Sequence, residues 1–367
     1  MIRSAAVVGR NAAPPPRRRP WRAALALPLL LLASCGPPAD TEIRFARSAL
    51  PRPAAEAGAP ARFTDSEFIA DDGARLPLRK WLPRDGVKAV ILALHGFGDY
   101  SHAFEMPARV WAERGIATYA FDQRGFGGAP GHGLWAGTGQ LAGDAITASR
   151  IARRIHPGRP LYLLGESMGS AVATLAVTGA TNEPAADPDG VILSAPAVWS
   201  RSTMDLVPRL ALFAGVRLFP DMVLTGRGLR VMASDNLPML KELAKDPLVF
   251  KGARIDTIHG LVDLMDDAFA AAPRLAAPTL LLYGAHDEVI PRPPIAQFVA
   301  HLPPDPGHIR RLAYYGRGYH LLLRDLAGAA VAGDVASWIL DRAAPLPSRA
   351  DAAESAETWP PSPDGSG

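Results

Sequence analysis

Residues 161–177 read LYLLGESMGSAVATLAV, an apolar run of strand length, a pentapeptide with glycine at both ends, then a run of small and aliphatic residues suited to a helix. A strand that passes directly into a helix across Gly165-Glu166-Ser167-Met168-Gly169 leaves almost no room beside the serine, because the turn is tight and its backbone strained. The segment therefore commits the chain to a buried strand feeding a helix, the unit of a mostly parallel sheet with helices on both faces. It also places Ser167 at a helix N-terminus, where the dipole favours developing negative charge.

Other short apolar runs fit the same plan. Ala89–Leu94, Ile116–Phe121, Leu161–Leu164, Val191–Ser194, Thr279–Tyr283 and Arg311–Tyr315 read as strands, with Gly139–Ile155 and Ser167–Val177 as helices between them. Phe68-Ile69 and Leu76–Leu82 flank Asp71-Asp72-Gly73, a hairpin signal that predicts an antiparallel edge. From Ala197 to Pro273 no sheet strand is evident. Helical patterns such as Met204–Phe219 and Leu237–Ala244 there predict a helical lid over about 197–273. The globular domain is expected to run over 63–345. Residues 35–62 read as an Ala/Pro/Gly-rich tether and 346–367 as a disordered tail.

A serine nucleophile needs a base and a group to orient that base. Asp287 follows the strand ending at Tyr283, and His320 stands in the glycine-containing loop after LAYY, so both fall where strand C-termini present side chains to a crevice. Glu288 is an alternative acid, while His286, His301 and His308 are less well placed as the base. An oxyanion needs preorganised amides. The N–H of Met168 is one, and the loop His95-Gly96-Phe97-Gly98 offers the other through Phe97, with Gly96 and His95 in support. For His95, bracing the loop is favoured over proton transfer. Arg124, in the turn after Ile116–Phe121, reads as a brace between loops rather than a substrate ligand.

The ends of the chain carry a different message. Positions 17–35, RRRPWRAALALPLLLLASC, pair a cationic stretch with an apolar run too short to span a bilayer, as in a secretory leader over 1–34. Leu32-Ala33-Ser34-Cys35 resembles the lipobox of bacterial lipoproteins. The resemblance implies lipidation of Cys35 and a membrane-anchored protein of the cell envelope, with Gly36 after it favouring the outer membrane. Cys35 is the one cysteine in 367 residues, which excludes a disulfide framework and a multi-cysteine metal site. Six of the basic residues precede Cys35 with no acid among them. The net charge of +3 thus belongs to the leader, and the body shows no electrostatic footprint for nucleic acid.

In order, HGFGDYSHAF, DQRGFGGAPGHG, GESMGS, YGAHDEVIP and GYHLLLRD resemble the conserved blocks of the α/β-hydrolases, more narrowly the monoglyceride lipase and lysophospholipase group. That resemblance implies the α/β-hydrolase fold and a Ser167–His320–Asp287 triad cleaving carboxylic esters of a small lipid substrate, with no metal or organic cofactor. The group shares sequence with proline-type aminopeptidases, so an amidase or aminopeptidase remains the enzymatic rival, beside acyl transfer. Asp263, Asp266 and Asp267 are the acids an N-terminal specificity pocket would use, though a solvated helix face explains them as well. A non-catalytic ligand-binding envelope protein is the rival outside enzymology. Ser167 argues against relatives that open halides or epoxides with aspartate.

Overall fold

The computed structural model describes residues 60–179, 184–226, 231–305, 307, 310–352 and 359–361. The leader, Cys35 and most of the expected tether lie outside the described residues. In chain order the strands are β1 (Arg62–Phe63), β2 (Glu67–Ile69), β3 (Arg75–Trp81), β4 (Ala89–Leu94), β5 (Ile116–Phe121), β6 (Leu161–Glu166), β7 (Gly190–Ser194), β8 (Val223–Leu224), β9 (Ala253–Arg254), β10 (Thr279–Gly284) and β11 (Arg310–Tyr315). The α-helices are α1 (Glu105–Glu113), α2 (Thr138–Ile155), α3 (Met168–Thr178), α4 (Leu206–Leu218), α5 (Leu237–Lys245), α6 (Ile255–Ala271), α7 (Arg292–His301) and α8 (Gly328–Leu340).

Nine strands form one sheet in the order β1-β2-β3-β5-β4-β6-β7-β10-β11. The first three strands are antiparallel, as the Asp72-Gly73 turn predicts, and every pair from β5 to β11 is parallel. The buried strands carry apolar side chains on both faces. Along β4, Val90, Leu92 and Leu94 enter one core with α2, α3 and α6, while Ala89, Ile91 and Ala93 enter the other beneath α1 and α8. Trp111 of α1 anchors the second core, donating its indole N–H to the Ala332 carbonyl at 2.9 Å. Register aligns the strand ends that matter: Leu94 pairs with Gly165, and Gly284 with Tyr315.

The structure departs from the sequence expectations in three places. The lid was expected to reach Pro273, but α6 packs on α3. Thr257, Gly260, Leu264, Ala268 and Ala271 make a buried stripe at helical spacing, and Gly260 lets Trp135 close to 2.3 Å of where a Cβ would sit. The lid thus ends before α6, and within it β8 and β9 form a small antiparallel pair where no strand was expected. The second departure is the tail expected to be disordered from 346. Leu346 and Trp359 are buried, Asp351 pairs with Arg311, and the Ala350 carbonyl accepts from the Tyr314 amide at 2.9 Å. β11 is an edge strand, and the tail covers part of its exposed backbone. Third, Ala61 is already buried, so the packed chain begins just ahead of 63.

Candidate active site

The elbow has the strain its composition implied. Ser167 sits at φ 54°, ψ −115°, a conformation in which its side chain stands clear of the turn. Both glycines are obligatory. A Cβ on Gly169 would lie 1.9 Å from the Leu94 carbonyl oxygen, and one on Gly165 would lie 2.2 Å from the Ser170 amide. The Ser167 amide donates to the Ser194 carbonyl at 2.9 Å, which ties the turn to β7.

Asp287 and His320 meet across the ends of β10 and β11. His320 Nδ1 donates to Asp287 Oδ2 at 2.8 Å, and the two side chains are almost wholly buried. Asp287 Oδ1 accepts the amides of Val289 and Ile290, each at 2.9 Å, so the carboxylate is fixed in rotation. Burial opposes a charge on His320, but the charge and hydrogen bond of Asp287 outweigh it and raise the imidazole above its ordinary range. The pairing leaves Nε2 of the ring as its remaining polar atom.

The loop after β4 lies against the elbow: a Cβ on Gly96 would approach Ser167 Cβ to 3.4 Å. Among the described residues, the amides of Phe97 and Met168 donate to no protein acceptor. His95 is fully buried, accepts the Gln123 amide on Nε2 at 2.9 Å, and directs Nδ1 to the Gly96 carbonyl. Burial lowers its pKa, and this pattern requires the neutral ring. His95 therefore braces the loop. The Phe97 ring is wedged edge-on against Phe126 and Phe250. Arg124 joins Asp72 of the β2–β3 turn to Asp144 of α2, also a bracing role.

The competing residues are engaged elsewhere. Glu288 is exposed and accepts the Met232 amide, His286 is exposed and stacks on Tyr319, and His301 caps the end of α7 on the surface. His308 lies outside the described residues. Arg201 binds both Asp263 and Asp266, so those acids are already paired, whereas Asp267 has its pKa raised by burial and by its two acidic neighbours.

Two features were not legible in the sequence reading. Asp99, Glu166 and Arg324 form a buried ionic cluster just behind the elbow, at 2.7 and 2.9 Å. A carboxylate inside a buried strand–turn demands a cation, and that demand was the available signal. The second feature is a clasp. Lid residues 232–236 bind the loops carrying Asp287 and His320: Leu321 donates its amide to the Ala233 carbonyl, Ser234 Oγ to Asp325, and Asn236 Nδ2 to the Arg324 carbonyl. Beyond the clasp, α5 and α1 flank an open cleft of about 740 Å³ lined by His102, Met106, Met239, Leu243 and Arg324.

A parallel sheet of this order, with a strained serine after β6 and an Asp–His pair after β10 and β11, defines an α/β-hydrolase. A family model described as serine aminopeptidase S33, a hydrolase family, matches residues 85–327. The chain belongs to that family. It is 26% identical to the monoglyceride lipase of Rattus norvegicus over 286 residues, spanning 76% of this chain and 90% of the relative. The crystal structure of Paleococcus ferrophilus monoacylglycerol lipase superposes with a TM-score of 0.58 at 21% identity, over 73% of this chain and 99% of that one. A soluble variant of Saccharomyces cerevisiae monoglyceride lipase, solved with a substrate analogue, gives a TM-score of 0.61 at 19% identity, over 77% and 99%.

Proposed function

We propose that the protein is a serine hydrolase of carboxylic esters, acting on monoacylglycerols or lysophospholipids. The observation that carries the reading is the pairing of a strained Ser167 elbow with a buried, oriented Asp287–His320 dyad. Ser167 Oγ attacks the ester carbonyl as His320 Nε2 takes its proton. Asp287 holds the imidazole in the required tautomer and stabilises its cationic form. The oxyanion forms against the amides of Phe97 and Met168, which start without protein acceptors. His320 returns its proton to the leaving alcohol, then deprotonates the water that releases the acid.

The lid favours an apolar substrate. On and just after α4, Leu206, Leu210, Phe213, Leu218 and Phe219 are exposed, and α4 buries none of its residues. An exposed apolar face of this kind suits a lipid–water interface. The S33 family description includes aminopeptidases, but two of the three acids an amine-binding pocket would use, Asp263 and Asp266, are already paired with Arg201.

The membrane placement is a separate proposal: diacylation at Cys35 would tether the domain in the cell envelope, at the outer membrane. No helix among the described residues is long and apolar enough to cross a membrane. Labelled palmitate incorporated by the wild type and absent from Cys35→Ala supports the tether, and labelling of both overturns it. For the reaction, the purified protein and Ser167→Ala are compared on monoacylglycerols, lysophosphatidylcholines and aminoacyl amides of graded length. Serine-dependent ester turnover with a chain-length optimum supports the proposal. Turnover confined to amides overturns it.

A further inference from the structure

Asp99 lies in the loop after β4, Glu166 is the last residue of β6 at the elbow, and Arg324 lies in the segment after β11. The same three segments carry Phe97, Ser167 and His320. One guanidinium nitrogen, Arg324 Nη2, reaches both carboxylates, at 2.7 Å from Asp99 Oδ2 and 2.9 Å from Glu166 Oε1. A short 3₁₀ turn over Leu322–Arg324 follows His320 closely, and within it Arg324 is buried rather than turned out to solvent. The side chains of Arg324 and Glu166 are buried, and Glu166 Oε2 and Arg324 Nε have no hydrogen-bond partner among the described residues.

Such a cluster is a poor device for stability alone. Desolvating three charges offsets much of their attraction, and the unpaired polar atoms add to the cost. What the cluster does fix is the relative position of three loops that share no sequence neighbourhood. We infer that Arg324 is a positioning residue: its guanidinium locks the oxyanion loop and the nucleophile elbow to the His320 loop, and offsets the charge of Glu166 felt by His320. The inference rests on the Ser167–His320–Asp287 reading.

The charged groups facing His320 are Asp287 from the β10 loop, Glu166 from the elbow and Arg324 from its own loop, with Asp325 bound to the neighbouring Tyr319 amide. Asp287 and Glu166 favour the imidazolium, and Arg324 opposes it. Removing Arg324 therefore makes His320 harder to deprotonate, and removing the charge of Glu166 makes it easier. Removing both leaves Asp99, with the same net charge of −1 as the intact cluster.

The experiment follows the rate at which a fluorophosphonate inactivates Ser167 across pH. That reaction forms a serine–phosphorus bond, expels fluoride and passes the serine proton to His320, so it reads the base without depending on the natural substrate. The full-length protein is compared with Arg324→Met, Glu166→Gln and the double variant, each checked for a cooperative thermal transition. Expected are an acid limb displaced upward by about one pH unit in Arg324→Met, with inactivation slowed by up to about tenfold on the acid side of that limb, and a smaller downward displacement in Glu166→Gln. The double variant returns the limb towards wild type. If Arg324→Met does not fold, Glu166→Gln and the charge-balanced double variant still decide the matter.

Limbs that stay at the wild-type pH in the folded variants overturn the inference, as does a double variant as displaced as Arg324→Met. A protein whose Ser167 reacts at no pH overturns the catalytic reading and the inference with it. Normal reactivity with turnover confined to amides overturns only the ester assignment.

Discussion

Replacing Asp287 by asparagine tests the proposed mechanism at its most constrained point. Asp287 Oδ1 receives two amide donors, from Val289 and Ile290, each at 2.9 Å. An asparagine side chain has one oxygen to offer, and those two fixed donors claim it. The NH2 group is then turned towards His320 Nδ1, which must accept rather than donate. The ring proton moves to Nε2, where it faces the serine, and the base is lost in the ground state. The reverse orientation sets the NH2 against two N–H groups and strands all of them. Loss of the correct tautomer together with the carboxylate charge slows acylation about 10³- to 10⁴-fold, or about 4 to 5.5 kcal/mol in the barrier. The cost to folding is smaller, about 1–3 kcal/mol, because the substituted side chain is isosteric and keeps the amide contacts. Hydrolysis of p-nitrophenyl butyrate, read beside the thermal midpoint, separates the two effects. A folded Asp287→Asn variant retaining more than about a tenth of wild-type kcat refutes the argument. Attention would then pass to Glu288, whose own change to glutamine is otherwise expected to leave kcat within about twofold.

Three further outcomes follow from the geometry. In the proposed mechanism His320 acts as base only when neutral, and its pKa is raised, so the acid limb of kcat/KM is expected above pH 6.5, the ordinary histidine value; a limb below it contradicts the Asp287 pairing. Gly169→Ala is expected to abolish soluble expression, since its Cβ meets the Leu94 carbonyl at 1.9 Å, whereas Gly139→Ala on open α2 surface should raise stability by about 0.5–1 kcal/mol in a denaturant titration. Phe213→Glu, on the exposed face of α4, is expected to leave p-nitrophenyl butyrate turnover unchanged while cutting turnover of micellar long-chain monoacylglycerols several-fold; equal rates on both would remove the lid from the substrate argument.

Strand positions were legible because buried parallel strands are short uninterrupted apolar runs bounded by turn residues. Ala89–Leu94 and Ile116–Phe121 appear in the structure with the limits read from the sequence. The lid boundary was harder, because α6 pairs a buried stripe with four exposed or half-exposed acids, and the acids masked the stripe. The tail was read from composition, which cannot register that Leu346 and Trp359 have an edge strand to cover. Spacing along single loops drew attention to Ser167, Asp287 and His320, since each stands just past a strand. The Asp99–Glu166–Arg324 cluster is different: its members are 67 and 158 positions apart in order along the chain, and only the closed sheet brings them together.

The clasp at 232–236 divides the lid into two parts with different histories open to them. Helix α4 touches neither the Asp287 loop nor the His320 loop through any hydrogen bond among the described residues, so changes on its exposed face leave the hydrogen bonds of those loops in place. The clasp has no such freedom, because every change there is also a change in how the loops bearing Asp287 and His320 are held. Chimeras that exchange Leu206–Leu218 would alter diet and keep the machine, while chimeras cut inside 232–236 would trade both at once.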